Sequence, residues 1–304
     1  MTISENRFVD TFRSAPIQNL LVKHNDHRMG VFLILASAVA FSTAGFFTRL
    51  IELDVWTVLF WRGIYGSLFI AAYVACQHRS ETLNAVRSIG LPGFLSVCCT
   101  ALSTICFVAA LRHTTVADVN VIYATAPFFA AGLQWLWTGE RESRTTLAAS
   151  AVALLGVGLT VDGAVAEGHL IGDLLAFVMT GLLATMMVLV RNNRTIPMLP
   201  AAAISALSSA ALVVPFADPL GANRADMLCL FLFGTTQFGL GLLLLTLGTR
   251  HLSATRSALW GSAEIPVACI WMWLAFGEIT SVLVSLGGFV VMASVSADIM
   301  LKRS

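Results

Sequence analysis

Charged residues are scarce in this chain: they make up 12% of the 304 residues, whereas hydrophobic residues make up 57%. The charged fraction is about half of that expected of a soluble globular domain. The 18 basic and 17 acidic residues nearly balance, so no excess of positive charge indicates a nucleic-acid partner. Lipid is therefore the predicted solvent for most of the chain.

Signatures of catalysis and of cofactor binding are missing as well. The sequence has no GxxxxGK[ST] loop for ATP and no HExxH zinc motif, and its histidines lie in predicted tails or loops. The six cysteines include no CxxC pair and are interpreted as small apolar packing residues. Transport driven by ATP hydrolysis on this chain is thus excluded, and no catalytic residue, metal or cofactor is predicted.

Ten apolar segments have the roughly 20 residues that a membrane-spanning helix needs. The tail at residues 1–28 carries charged residues and no continuous apolar run, so a cytoplasmic tail is expected rather than a cleavable signal peptide. No loop is long enough for a soluble domain. The predicted spans lie at approximately 29–50, 55–76, 91–111, 117–138, 145–162, 170–190, 198–216, 227–247, 255–276 and 280–300.

Basic residues are distributed unevenly between the two sides of this predicted bundle. With the amino terminus in the cytoplasm, fourteen of the eighteen basic residues lie on the inner side. Arg49, Arg112 and Arg224 lie outside, and Arg62 falls within a span. Because basic residues concentrate on the cytoplasmic side of membrane proteins, both termini are predicted to be cytoplasmic.

The two halves of the chain resemble each other at an offset of about 138 residues. Each unit contains five spans, an odd number, so the second copy is predicted to be inverted in the membrane. The two units are residues 29–162 and 170–300, and inverted repeats of this kind are typical of alternating-access transporters. The matching elements are Arg112-His113 with Arg250-His251, Gly139-Glu140 with Gly277-Glu278, and Pro127 with Pro266 after a one-residue slip.

This ten-span, five-plus-five layout resembles the drug/metabolite transporter superfamily in its EamA-type branch. The resemblance rests on the segments PFFAAGLQWLWTGE and IPVACIWMWLAFGE, which end the fourth and ninth spans, and it covers essentially the whole chain after residue 28. Within the branch the chain looks most like the YddG-type exporters of amino acids. The resemblance implies a monomeric basket of helices with a central cavity, located in a bacterial inner membrane, that exports its substrate and is not an enzyme.

Glu264 lies near the middle of the ninth predicted span, two residues before Pro266. An ionisable group at that depth costs about 2.5–3.5 kcal/mol on insertion scales, so it must face a cavity or a partner. One interpretation is a site residue that binds an amine or a proton. The other is a structural carboxylate that caps backbone groups freed by the proline.

Arg62 lies about a third of the way into the second span. The preferred interpretation is an arginine that snorkels to the outer interface near Trp56 and Trp61; the alternative is a direct ligand for a substrate carboxylate. The aromatic residues on its helical stripe are predicted to cover its stem and stack on its guanidinium. They are Tyr65, Phe69 and Tyr73.

Other spans carry polar or aromatic side chains on one face, which favours an interior position for that face. Asn120 and Tyr123 share a stripe of the fourth span, Gln237 lies in the eighth, and Trp260 lies on the face of Glu264 in the ninth. The substrate-binding or cavity-lining candidates are therefore Glu264, Asn120, Tyr123, Gln237, Trp260 and Arg62.

Two prolines are candidate hinges. Pro127 and Pro266 predict bends in the fourth and ninth spans, because proline removes a helical hydrogen bond and here frees the carbonyls of Tyr123 and Ser262. In the seventh span, alanines at four-residue spacing predict a close helix approach. They are Ala202, Ala206 and Ala210.

Taken together, the pattern predicts a secondary transporter that exports small amphipathic metabolites, amino acids foremost, by alternating access. A carrier of phosphorylated or nucleotide-linked sugars is the alternative within transport, but it would need several cavity-facing cations, and Arg62 is the one placed well inside a span. An intramembrane enzyme or a sensor subunit is the alternative from another class. The expected partners are a small-molecule substrate and the lipid bilayer.

Overall fold

The computed structural model describes residues 27–78, 82–114, 116–160, 170–194, 196, 198–277 and 282–301. Most of the predicted tail at 1–28 lies outside these residues. Every regular element in the described part is a helix, as the long apolar runs predict. In chain order they are α1 (27–42), α2 (Ala44–Leu50), α3 (Val55–His78), α4 (Thr82–Arg87), α5 (Gly90–His113), α6 (Val116–Tyr123), α7 (Ala126–Thr138), α8 (Arg144–Thr160), α9 (Leu170–Asn192), α10 (Met198–Val213), a 3-10 turn (Val214–Phe216), α11 (Arg224–Leu232), a π-helical segment (Phe233–Leu240), α12 (Gly241–Thr249), α13 (Ala254–Gly261), α14 (Glu264–Phe276) and α15 (Val282–Leu301).

Seven helices of the described part are long and apolar enough to cross a membrane, compared with the ten predicted spans. The other three predicted spans are helical but shorter or interrupted. The helix over 116–138 is broken at residues 124–125, α8 has 17 residues, and the apolar part of α15 is Ser285–Leu301. A ten-span layout stays a prediction. The seven long helices are His27–Leu50, Val55–Gln77, Gly90–Phe107, Leu170–Asn192, Met198–Phe216, Arg224–Thr249 and Ala254–Phe276.

Three consecutive helices recur along the chain at one spacing. The helices α6, α7 and α8 begin at residues 116, 126 and 144, and α13, α14 and α15 begin at residues 254, 264 and 282. The starts of α7 and α14, which both follow described residues, differ by 138 residues, which is the offset of the sequence repeat. The inverted relation of the two units stays a prediction.

The recurring Gly-Glu pair has a structural cause in its glycine. Gly139 ends α7 and Gly277 ends α14, with positive φ angles of 71° and 67°, a left-handed conformation that glycine adopts without strain. Their N–H groups donate to the carbonyls of Trp135 and Trp273 at 2.9 and 3.0 Å. The same helix-terminating geometry thus occurs at the corresponding position in both units of the repeat.

Helix pairing follows the same correspondence. Helix α3 of the first unit packs on α10, which corresponds to it in the second unit. In the same way α8 packs on the corresponding helix α15. The contact of α5 with α10 is matched by the contact of α3 with the π-helical segment. The largest buried cluster draws on α1, α7, α8, α9, α10, α12, α13 and α15, so it contains the second half of the first broken helix, α7, and the first half of the second one, α13.

Small residues allow α3 and α10 to approach closely, as the alanine spacing predicts. A Cβ atom built on Gly63 would lie 2.8 Å from Ala210 Cβ and 2.9 Å from the Ala206 carbonyl oxygen. Both alanines are fully buried. Since carbon atoms do not tolerate such distances, any side chain at residue 63 must separate the two helices.

Gly63→Ala is therefore expected to destabilise the protein by about 1–3 kcal/mol, because the added methyl group overpacks this interface. The melting temperature of the purified protein in detergent measures the effect. Gly132→Ala is the matched control, since a Cβ atom at Gly132 meets no atom within 4 Å. The control is expected to melt at or slightly above the wild-type temperature. Equal melting of Gly63→Ala and wild type would show that α3 and α10 separate without cost.

Candidate functional site

The two broken helices meet at their breaks. The first break lies between α6 and α7 at Ala124 and Thr125, and the second lies between α13 and α14 at Ser262 and Ala263. Ala124 and Ile265 belong to one buried cluster together with Val157 of α8 and Val291 of α15. The structure thus places the irregular backbone of both helices at one point inside the bundle.

Each break precedes its proline by a few residues. Thr125 and Ala263 are the residues before α7 and α14, and neither makes a side-chain capping bond. The carbonyl of Ser262, which sequence reasoning expected to be free, instead accepts the Ile265 N–H at 3.2 Å. A tighter turn therefore replaces the helical bond that Pro266 removes.

Glu264 is the first residue of α14 and is partly exposed. Its carboxylate makes no hydrogen bond and no ion pair with any residue in the described part of the chain. The side chain lies at the positive end of the α14 dipole, where a negative charge is favourable. No backbone N–H group in the described part donates to it, so the capping role that was one interpretation of Glu264 is absent from this conformation.

Tyr123 is the neighbour of Glu264 across the two breaks. It ends α6, packs against two buried clusters, and lies close enough to the Glu264 carboxylate for an electrostatic interaction. Asn120 lies one helical turn earlier on α6 and is partly exposed. Its side-chain amide has no hydrogen-bond partner in the part of the chain that the structure describes. Two of the predicted candidates, Glu264 and Tyr123, are thus brought together, and Asn120 lies one turn from Tyr123 on α6.

Trp260 does not join this group. The side chain is fully buried, and its indole N–H donates to Asp298 Oδ2 at 3.1 Å. The prediction that Trp260 shares a face with Glu264 assumes a continuous helix, whereas α13 ends at Gly261 and Glu264 begins a separate helix. The interruption removes the angular relation on which the shared face depends.

Asp298 and Arg256 form a buried ion pair that sequence reasoning missed. Arg256 Nε donates to Asp298 Oδ2 at 3.1 Å, and the exposed fractions of the two side chains are 11% and 1%. Thr146 Oγ1 donates to Asp298 Oδ1 at 2.7 Å and accepts from Arg256 Nη2 at 3.0 Å. This network joins the start of α8, the first half of the broken α13–α14 helix and the end of α15.

A signal for the pair was present in the sequence. Arg256 and Asp298 have opposite charges near the ends of the ninth and tenth predicted spans. At the ends of predicted spans, each of the two residues could be interpreted as lying at the membrane surface. Their pairing depends on a contact between helices, and no local sequence pattern predicts that contact.

Gln237 lies on the π-helical segment and is 4% exposed. Its Nε2 donates to the Phe41 carbonyl at 3.5 Å, whereas its Oε1 is buried without a hydrogen-bond partner among the described residues. Phe41 comes just before the interruption of the first helix at Thr43, where Trp271 Nε1 donates to Ser42 Oγ at 3.1 Å. Helices α1, α14 and the π-helical segment therefore meet around Ser42.

Arg62 contacts different rings from those predicted. Its guanidinium carbon lies 4.5 Å from the centre of the Phe238 ring and 5.7 Å from that of Phe233. Tyr65, one of the predicted partners, stacks on Trp61 instead, with the ring centres 5.4 Å apart. Arg62, which lies on α3, thus packs against the π-helical segment. The two elements are far apart in the sequence.

Metal-binding clusters are not found in the described part of the chain, where no group of three or more His, Cys, Asp or Glu side chains could hold an ion. The six cysteines are free thiols, of which Cys106 is buried whereas Cys76 and Cys98 are exposed, so the interpretation as packing residues does not hold for all of them.

These features define the class of the protein as an all-helical, multi-pass membrane protein. Residues 28–162 match the model of the EamA-like transporter family. The family is described as one of transporters, and the matched residues make up less than half of the chain. No curated protein is similar enough in sequence to count as a match.

A solved structure titled "Crystal structure of protein" is similar over nearly the whole chain, with a TM-score of 0.80. The similarity covers 91% of this chain and 99% of that one, at 14% sequence identity. At this identity the likeness shows a shared fold and carries no information on substrate.

Proposed function

We propose that the protein is a secondary transporter that exports small amphipathic metabolites, amino acids foremost, by alternating access across a bacterial inner membrane. The observation that carries the proposal is the carboxylate of Glu264, which lies without an ionic partner in the described residues where two interrupted helices meet. An ionisable group at such a place marks a substrate or ion pathway in membrane proteins. Transporters place their binding sites at interrupted helices near the repeat interface.

The neighbours of Glu264 suit an amphipathic substrate. The carboxylate can bind an ammonium group or a proton, the Asn120 amide can donate and accept, and the Tyr123 ring offers an apolar surface with a hydroxyl. Phosphorylated sugars would instead need several unpaired cations, and the buried Arg256 is already paired with Asp298. The site therefore favours neutral or zwitterionic metabolites.

In this proposal Pro127 and Pro266 mark the hinges of alternating access. Rocking of one five-helix unit against the other requires points where the helices of the interface bend, and the breaks before Pro127 and Pro266 supply them. We propose a monomer as the working unit, because both breaks and the candidate site lie within one chain.

Export is tested in cells that are loaded with an amino acid from inside. Cells fed a dipeptide hydrolyse it and accumulate the free amino acid, so expression of this protein is expected to raise the rate at which the amino acid appears outside. Cells that express Glu264→Gln at the same membrane level serve as the control. Equal release by cells with and without the protein, across a panel of dipeptides, would contradict export of amino acids.

Orientation is tested by cysteine labelling in a variant that lacks the six native cysteines. Leu220 is 95% exposed in the loop before α11, which the distribution of basic residues places outside. Glu142 is partly exposed in the loop before α8, which the same distribution places inside. A membrane-impermeant maleimide is therefore expected to label Leu220→Cys in intact cells, and Glu142→Cys only after permeabilisation. The reverse pattern would refute the proposed orientation.

A further inference from the structure

The guanidinium of Arg62 lacks a counter-ion in the described part of the chain. Its Nε atom is buried without a hydrogen-bond partner, and none of its nitrogens donates to a described oxygen atom. The ring faces of Phe238 and Phe233 stabilise the cation but leave its N–H donors unused. A charged donor group within a membrane protein ordinarily pairs with an acidic group, a carbonyl or a ligand.

The rings that hold Arg62 belong to the inner face of their helix. Phe233 and Phe238 are 2% and 7% exposed, whereas Phe231 and Leu232, on the outer face, are 47% and 40% exposed. Arg62 is therefore directed toward the interior of the bundle, and not toward the aromatic residues Trp56 and Trp61 that would mark a position at the membrane surface. Because no described residue supplies a partner, the guanidinium has donors left for a group that enters the protein.

The arrangement around Arg62 is fixed by close backbone packing. A Cβ atom on Gly234 would lie 2.6 Å from Tyr65 Cβ and 3.0 Å from the Arg62 carbonyl oxygen. A Cβ atom on Gly66 would lie 2.8 Å from a Phe238 ring carbon. The α3 helix thus packs directly on the π-helical segment, and such segments are frequent at functional sites.

Gln237 is a second residue near this packing contact that has an unused polar atom. It precedes Phe238 in the chain, is 96% buried, and has an Oε1 atom without a partner in the described residues. A ligand of the guanidinium must offer oxygen acceptors, and a carboxylate offers two of them in the plane that the arginine fork matches.

We propose that Arg62, Phe233 and Phe238 form a carboxylate-binding subsite, and that Arg62 makes the transporter select molecules with a free carboxylate. This inference rests on the proposed function, since it assigns a part of the substrate to a second place in the protein. The phosphate of an anionic lipid is chemically similar to a carboxylate in its pairing with arginine, so the test must separate the two sources.

The test compares two pairs of labelled probes in liposomes that contain the purified protein. Phenylalanine is paired with phenylalaninamide, and leucine with leucinamide, so that each pair differs in the carboxylate and in the net charge that it sets. The wild type is expected to transport the acids faster than the amides, on the order of 10- to 100-fold, as for loss of hydrogen bonds to a charged group. Arg62→Gln is expected to reduce this ratio to near one.

Two further variants sharpen the comparison. Arg62→Lys keeps the charge but loses the planar fork, so an intermediate ratio is expected. Arg224→Gln removes an exposed arginine at the start of α11 and is expected to keep the wild-type ratio. If Arg62→Gln fails to fold, the wild-type ratio and that of Arg62→Lys decide the matter.

The outcomes separate the inference from the proposed function. Transport of acid and amide at equal rates by the wild type overturns the carboxylate subsite and leaves amino-acid transport standing. Absence of flux for every amino acid overturns the proposed function and this inference with it. If Arg62→Gln keeps the wild-type ratio but loses thermal stabilisation by added phosphatidylglycerol, a lipid phosphate occupies the site and the inference is wrong.

Discussion

Glu264→Gln is expected to insert and fold normally yet lose most of its transport activity, roughly 10- to 100-fold in flux per folded molecule. The substitution keeps the shape of the side chain and removes its charge. Because no described residue pairs with the carboxylate, its removal breaks no internal bond and should leave stability close to that of the wild type. The loss of flux then reports the interaction with an amine or a proton that the carboxylate makes during transport.

The pH dependence distinguishes the two roles of this carboxylate. If Glu264 carries a proton, the variant should lose the dependence of flux on a pH gradient, whereas loss of amine binding should weaken substrate affinity at every pH. Glu52→Gln, a change at an exposed residue before α3, is the matched control and should transport like the wild type. Full activity of Glu264→Gln with an unchanged pH profile would remove Glu264 from the functional residues.

Asp298→Ala is expected to destabilise the protein by about 3–5 kcal/mol, because it leaves the Arg256 guanidinium buried without its counter-ion. The substitution also removes the acceptor of the Thr146 hydroxyl and of the Trp260 indole N–H. Thermal or denaturant-induced unfolding in detergent measures the loss. The effect should far exceed that of a change at an exposed acidic residue such as Glu52.

A double variant separates the cost of an unpaired charge from the loss of the network itself. Replacing both members of a buried ion pair by apolar residues of similar volume is often neutral or stabilising. Arg256→Met combined with Asp298→Leu is therefore expected to recover most of the stability that Asp298→Ala loses. A single variant as stable as the wild type would mean that the pair contributes nothing to the fold.

The sequence predicts those features that depend on local pattern. The apolar runs indicate where helices lie, since burial in lipid requires about 20 apolar residues in succession. The prolines at 127 and 266 indicate two interrupted helices, and the repeated Gly-Glu pair indicates where they end. The breaks themselves begin three or four residues before each proline, because the turn tightens to reuse the carbonyl groups.

Two helix irregularities that involve no proline were not predicted from the sequence. The first helix is interrupted at Thr43, where the hydroxyls of Ser42 and Thr43 bond to the carbonyls of Val39 and Ala40. Such bonds from Ser and Thr compete with the helical ladder and bend helices. The π-helical segment likewise contains Thr235 and Thr236, which bond to carbonyls one turn earlier. The adjacent hydroxyl residues were the only local signal for either irregularity.

Pairings between distant helices could not be read from the sequence. The neighbours of Arg62 are rings about 170 residues further along the chain, and Asp298 is satisfied by side chains of α8 and α13. Helical periodicity indicates which residues share a face only where the helix is continuous. Because the helix is broken between Trp260 and Glu264, the prediction that these two residues share a face was wrong. Single candidates such as Glu264 and Tyr123 could be predicted from their type and depth, whereas their proximity required the structure.

Flux of labelled amino acids through the purified protein in liposomes tests the central claim most directly. The account predicts that neutral amino acids equilibrate or exchange across the vesicle membrane in the presence of the protein, without ATP, and that protein-free liposomes show no such flux. Glu264→Gln, reconstituted at the same density, should fall close to the protein-free rate. If wild-type liposomes move no member of the amino-acid panel under any proton gradient or with any counter-substrate, the account of the protein as an amino-acid transporter is contradicted.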